Sequence, residues 1–208
     1  MDSQFPILKV FCKVLLIGKS GVGKTSILLQ STENFFPSEH KPTIAVDCRI
    51  RNSMHDSRVV RLMIFDPPGK ESLATLTPAY WYSVDAIIFV VDDRVQSLRY
   101  VKDKVNAIFG SKDEELLKKV LKIILVNKKD LITGEEGKNY KNEIKNYANE
   151  YDMKYYKCSA SDPAALNEIF KYIIDTLFSN PSKEKAKQAK EKLKTQKRKN
   201  ICSRCSLF

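Results

Sequence analysis

Short apolar runs rich in Val and Ile alternate with longer stretches of helical periodicity along this 208-residue chain. VFCKVLLI (10–17) predicts a strand. A glycine-rich turn follows, then a helix from about Lys24 to Glu33. CRIR (48–51) and VVRLMIF (59–65) predict a strand pair joined by the polar turn NSMHDS. DAIIFVVD (85–92), VLKIILVN (120–127) and YYKCS (155–159) predict three more strands. Helices are expected near Ser97–Phe109, Glu135–Tyr151 and Ala164–Phe178. In the last of these, Leu166, Ile169, Phe170, Ile173, Ile174 and Leu177 share one face. Strands this continuously apolar are buried on both sides, so the pattern predicts a parallel sheet between two helical layers. Ligands of such folds sit beyond the carboxyl ends of the strands. There is no internal repeat.

Composition narrows the class. Hydrophobic residues make up 43% of the chain and aromatics are plentiful, which excludes wholesale disorder. No apolar run approaches the roughly 18 residues of a membrane-spanning helix. The first residues carry an early acid, with Lys9 and Lys13 interrupting the apolar run, and read as a strand rather than a signal peptide. Five cysteines, Cys12, Cys48, Cys158, Cys202 and Cys205, show no disulfide framework and point to a reducing cytosol.

The formal charge of +11 is unevenly spread. From Ser179 onward ten basic residues face only Glu184 and Glu191, which makes the tail +8 and leaves +3 for residues 1–178. The expected organisation is an extension (1–8), a folded body (9–178) and a basic, low-complexity tail (179–208).

The chemistry begins at the end of the first strand. Gly18-Lys19-Ser20-Gly21-Val22-Gly23-Lys24-Thr25 matches G-x-x-x-x-G-K-[ST], after a strand and opening a helix, as a phosphate loop requires. Backbone N–H groups from Ser20 to Thr25 would converge on phosphate oxygens, helped by the positive helix N-terminus. Lys24 would reach the β- and γ-phosphates, and the Thr25 hydroxyl would bind Mg²⁺. The alternative is a chance glycine turn. Asn127-Lys128-Lys129-Asp130 ends a later strand. A carboxylate there accepts two N–H groups from guanine and finds no such pair on adenine. NKKD alone is weak in a chain so rich in lysine, but its position about a hundred residues beyond the phosphate loop is informative.

These motifs, with DPPG (66–69) and CSA (158–160), stand in the order and spacing of the Ras superfamily of small GTPases, which the chain resembles from about Lys9 to Phe178. TIAVD (43–47), RLMIFD (61–66) and YWYSVDAIIFVVD (80–92) most resemble the Rab branch. The resemblance implies the P-loop small GTPase fold. That is an α/β three-layer sandwich, with a six-stranded, mostly parallel sheet, one antiparallel edge strand and about five helices. It implies a GTP/GDP switch with Mg²⁺, working in vesicle-mediated transport. It also implies roles at matching positions. Asn127 and Asp130 would hold guanine, with the Lys128 stem over its face. The Ala160 N–H would meet its O6, between Ser159 and Ser161. Phe36 would stack against the base edge-on, a core position being the alternative. Thr43 would bind Mg²⁺ and the γ-phosphate, Asp66 would hold Mg²⁺ through water, and the Gly69 N–H would sense the γ-phosphate. Four positions depart from the pattern: Ser161 replaces a lysine, Ala45 a glycine, Cys48 a phenylalanine and Phe65 a tryptophan. Effector choice should differ accordingly.

DPPGKE (66–71) carries the largest departure. Pro67 precedes Pro68 and is driven to an extended conformation, so a type I turn is disfavoured and a stiff exit from the strand fits better. Lys70 stands where the family has a glutamine that orients the attacking water. An ammonium has three donors and no acceptor, so it cannot take a hydrogen bond from that water. Very slow intrinsic hydrolysis is expected. A permanently GTP-bound docking module is one alternative; a P-loop phosphotransferase acting on a small molecule is another, although no segment for its lid or acceptor site is evident.

The tail ends Cys205-Ser206-Leu207-Phe208, which fits C-a-a-X with a terminal residue favouring geranylgeranyl on Cys205. One lipid anchors only marginally, and the basic arm or a second lipid on Cys202 would supply the second signal at an anionic membrane. A basic arm also suits nucleic acid, but the C-a-a-X ending favours membrane. CSRC as a metal site lacks completing ligands. The expected partners are an exchange factor, an activating protein, effectors, and prenylation and membrane-extraction chaperones, with no nucleic acid. The expected state is a monomer, in the cytosol and lipid-anchored to the cytoplasmic face of an endomembrane or the plasma membrane.

Overall fold

The computed structural model describes residues 10–39, 43–56, 58–68, 84–109, 120–132 and 134–179. Within them the chain runs β1 (Val10–Ile17), α1 (Lys24–Glu33), β2 (Asp47–His55), β3 (Arg58–Asp66), β4 (Ala86–Val91), α2 (Val95–Phe109), β5 (Leu121–Val126), α3 (Gly134–Glu150), β6 (Lys154–Lys157) and α4 (Pro163–Phe178). The six strands form one sheet in the order β2-β3-β1-β4-β5-β6. Every pairing is parallel except β2 with β3. The antiparallel pair therefore lies at one edge, as expected. Four helices stand among the described residues against the five or so expected; 69–83 and 110–119 lie outside these residues.

The central strands explain the layering. All six residues of β4 are buried, so alternate side chains feed two separate cores. Cys12, Val14, Leu16, Leu62, Ile64, Ile88, Val90, Ile123 and Leu125 pack with Ile27 and Leu28 of α1 and the apolar face of α4. Leu15, Ile17, Ile87, Phe89, Val91, Ile124 and Val126 pack with Leu98, Val101 and Val105 of α2 and with Tyr140, Ile144 and Tyr147 of α3. The face expected of the last helix is the one α4 buries. Its start is fixed by Asp162, whose carboxylate accepts the Ala165 N–H at 3.1 Å, and by Pro163 in the first turn.

One boundary needs correction. NSMHDS was expected to be the turn between β2 and β3, but β2 runs on through His55, paired with Arg58. Only two residues connect the strands, and Asp56 takes the left-handed conformation at φ 46°. An edge strand facing solvent has no need of apolar residues. Asn52, Ser53 and His55 thus read as a turn while standing in register opposite Arg61, Val60 and Arg58 of β3.

Candidate functional site

The carboxyl ends of β1, β3, β4, β5 and β6 converge on the loop between β1 and α1. The first glycine of that loop is dictated by packing: a Cβ on Gly18 would lie 2.5 Å from the Val90 carbonyl oxygen and 2.8 Å from Val22 Cγ2. Gly23 needs its freedom twice over. It has φ +98°, and a Cβ there would meet Asn127 Nδ2 at 2.2 Å. Gly23 also caps α1 without any side-chain bond, so the first N–H groups of that helix remain available to an anion.

Lys24 opens α1 and is buried, with its ammonium donating to Gly18 O at 2.9 Å. Burial lowers its pKa, an effect the nearby Asp66 carboxylate opposes. Thr25 Oγ1 donates to Asp66 Oδ2 at 2.5 Å and lies 2.8 Å from Thr43 Oγ1. Asp66 ends β3 and is fully buried, and its Oδ1 has no hydrogen-bond partner among the described residues. Desolvation pushes its carboxyl pKa up, against the Thr25 hydrogen bond and Lys24. A buried carboxylate oxygen without a donor among the described residues, beside two hydroxyls, is a set of hard oxygen ligands and fits Mg²⁺. The chain leaves β3 through buried Pro67 and Pro68. Gly69 and Lys70 lie outside the described residues, as do Cys202 and Cys205.

Asn127, at the end of β5, is 1% exposed. Its Nδ2 donates to Val22 O and its Oδ1 accepts the Ala160 N–H, both at 2.8 Å. The side chain thus ties the β1–α1 loop to the β6–α4 loop. Lys128 has φ 55° and sends its ammonium to Gly21 O at 2.8 Å and to Asp92 Oδ2 at 3.3 Å. Lys129 N donates to Cys158 O at 3.1 Å, and Lys129 Nζ lies 3.3 Å from Asp162. Asp130 is exposed, and Ser159 and Ser161 share a hydroxyl contact at 2.8 Å. Phe36 is 44% exposed, which excludes the core alternative.

Another group against the loop has no counterpart among the motif residues. Asp92, just beyond β4, is buried and accepts from Arg94 Nε at 2.8 Å and Nη2 at 2.6 Å. Arg94 O in turn accepts Ser97 Oγ at 2.7 Å and Tyr140 OH at 2.9 Å. Burial would raise the Asp92 pKa, but the hydrogen bonds and charge of Arg94, with Lys128, bring it below its ordinary value. Its signal in the sequence is position alone: VDDRVQS follows a buried strand at the same end of the sheet.

A mostly parallel α/β sheet with a glycine loop at a helix N-terminus and a buried oxygen cluster beside it defines a phosphate-loop nucleotide-binding protein. The Ras family profile matches residues 13–179, and the chain belongs to that family. Among similar proteins are three Rabs. The chain is 32% identical over 169 residues to Ras-related protein Rab-1D of Dictyostelium discoideum, covering 81% of this chain and 80% of that one. It is 31% identical over 207 residues to Ras-related protein Rab-8 of Diplobatis ommata (94% and 96%). It is 33% identical over 187 residues to Ras-related protein Rab-15 of Homo sapiens (88% and 83%). The chain is a Rab-like small GTPase that binds GTP or GDP with Mg²⁺ and works with exchange factors, activating proteins and effectors. Among the described residues no helix is long and apolar enough to cross a membrane.

Proposed function

We propose that this GTPase regulates vesicle-mediated transport as a membrane-anchored switch whose intrinsic hydrolysis is very slow. The observation that carries the switch is the meeting of Thr25, Thr43 and Asp66 oxygens. Thr43 lies far along the chain from the phosphate loop, so anything that rewards its hydroxyl at this point orders the segment around it. Mg²⁺ bound with nucleotide would supply that reward by neutralising phosphate charge. In this reading Ser20 to Thr25 hold the phosphates through backbone N–H groups and Lys24, and Gly69 senses the terminal phosphate. Asn127, Lys128, Asp130, Ser159, Ala160 and Ser161 surround the guanine, with Phe36 at its edge. The Asn127 side chain is also engaged by Val22 and Ala160, so it holds the two loops in register while its second N–H and second lone pair remain for the base, which Asp130 reads.

Slow turnover follows from Lys70, which offers no acceptor to orient water. An activating protein that brings its own arginine and glutamine would restore it. Prenylation of Cys205, with the basic arm or a lipid on Cys202, would attach residues 179–208 to an anionic cytoplasmic leaflet, and chaperones would carry the lipid between membranes. Lys70 equally favours a second reading, a permanently GTP-loaded docking module. Single-turnover hydrolysis separates them. Wild type should be slow alone and accelerate with an activator, while Lys70→Gln should raise the unassisted rate roughly tenfold or more. Wild-type hydrolysis equal to Lys70→Gln would refute the role given to Lys70, and no acceleration by any activator would favour the docking module.

A further inference from the structure

We infer that Arg94 is a positioning residue of the phosphate loop, holding the loop's outer lip from the next strand end. The inference rests on the nucleotide-binding reading above. In a peptide plane the N–H and C=O groups point in opposite directions. A loop that turns successive N–H groups inward toward an anion therefore turns its carbonyls outward, and those carbonyls need donors.

Each carbonyl from Gly18 to Gly23 has one. Gly18 O takes Lys24 Nζ at 2.9 Å, Lys19 O takes Val22 N at 3.3 Å, and Gly23 O takes Ile27 N at 3.0 Å. Gly21 O takes Lys128 Nζ and Val22 O takes Asn127 Nδ2, both at 2.8 Å. Ser20 O takes Arg94 Nη2 at 3.4 Å. Five of these six donors come from the loop itself, from α1 or from the NKKD segment. Arg94 supplies the sixth from a segment outside every nucleotide-binding motif of the chain.

The guanidinium is itself held in place. Asp92 Oδ2 accepts its Nε and Nη2, Asp92 Oδ1 accepts the Arg94 N–H at 3.2 Å, and the same Oδ2 lies 3.3 Å from Lys128 Nζ. One buried carboxylate thus orients both cations that grip the adjacent carbonyls of Ser20 and Gly21. Gly21 has φ +82°, and a Cβ there would lie 3.5 Å from Arg94 Nη2, so the guanidinium rests on the loop at that residue. Ser20 C=O and Gly21 N–H belong to one peptide unit. Releasing the carbonyl lets that unit rotate and withdraws the Gly21 N–H from the phosphates, without touching the base site.

The test uses the full chain with Mg²⁺. Release of a fluorescent GDP into excess unlabelled GDP should be about fivefold faster for Arg94→Ala than for wild type, the loss of one long, charge-assisted bond. Arg94→Lys, which keeps the charge but loses the fork that reaches Asp92 and Ser20 O together, should release GDP at a rate between those of wild type and Arg94→Ala. The GDP-over-GMP affinity ratio should fall by the same factor as release accelerates, while the preference for guanosine over adenosine nucleotides stays unchanged. Unaltered release from Arg94→Ala, or an equal loss of GDP and GMP, overturns the proposal. If Arg94→Ala fails to fold, Arg94→Gln takes its place: faster release with a lowered GDP-over-GMP ratio supports the proposal, and unaltered release overturns it. Wild-type protein that binds no guanine nucleotide overturns the nucleotide reading itself, and this proposal with it.

Discussion

Replacing Asn127 by Asp should make stability depend on pH in a way the wild type does not. The side chain is buried, donates to Val22 O and accepts from Ala160 N, each at 2.8 Å. These two partners fix which amide atom is which. Aspartate keeps the shape and the Ala160 bond, but an ionised carboxylate turns an acceptor toward the Val22 carbonyl. Two facing acceptors, one charged and buried, should cost about 2–4 kcal/mol. A protonated carboxyl, by contrast, can donate to Val22 O and restore both bonds. The folded variant therefore prefers the neutral acid, and the pKa at this position rises above its unfolded value of about 3.9. By linkage the unfolded state then binds fewer protons than the native state as pH rises from there, so the variant loses stability relative to wild type. The deficit should be small near pH 4 and grow toward about 3 kcal/mol at pH 7. Urea unfolding of nucleotide-free protein, followed by far-UV circular dichroism between those limits, measures it. Asn127→Ala should show a deficit of about 2–4 kcal/mol that does not vary with pH, since it leaves the Val22 and Ala160 groups unpaired at every pH. A flat profile for Asn127→Asp, or a deficit below about 0.5 kcal/mol, refutes the claim that this amide bridges the two loops.

Gly18→Ala should lower the melting temperature by about 5 °C or more, because its Cβ would sit 2.5 Å from backbone oxygen rather than from a flexible side chain; an unchanged melting curve would mean that β4 and the loop separate easily. Asp162 is held below its ordinary 3.8 by the Ala165 N–H and by Lys129, so its stabilisation is present above the unfolded value and is lost as pH falls through the lower folded value. Asp162→Asn keeps a capping oxygen but cannot titrate, so the gap in melting temperature between wild type and variant should close as pH falls from about 5 to about 2. Parallel profiles would show that the charge is idle. Cys205→Ser should move the protein from the membrane to the soluble fraction of its native cell, and an unchanged distribution would count against the lipid anchor.

The layers were legible because burial on both faces leaves a mark that needs no partner to be named: DAIIFVVD and VLKIILVN can be little else. Residues 52–55 misled because an edge strand draws its stability from backbone pairing, which polar side chains neither announce nor prevent. The phosphate loop was legible for a similar reason, since its glycines answer to local backbone geometry. Asp92 and Arg94 were not. Their significance lies in a carbonyl 74 residues away at Ser20, and nothing in DDRVQS distinguishes a clamp on that carbonyl from a solvated turn. Asn127 shows the same limit from the other side. Its place in NKKD suggests a contact with a base, whereas its geometry shows that the same amide also gives one N–H and one lone pair to backbone groups of two other loops. A motif identifies where a chain concentrates polar chemistry. Which atoms face the ligand and which hold the scaffold depends on how five strand ends are brought together, and that is decided by the two apolar cores. A mutation in the Val90 or Val126 layers should therefore disturb nucleotide release while touching no ligand, because those strands set where Asp92 and Asn127 begin.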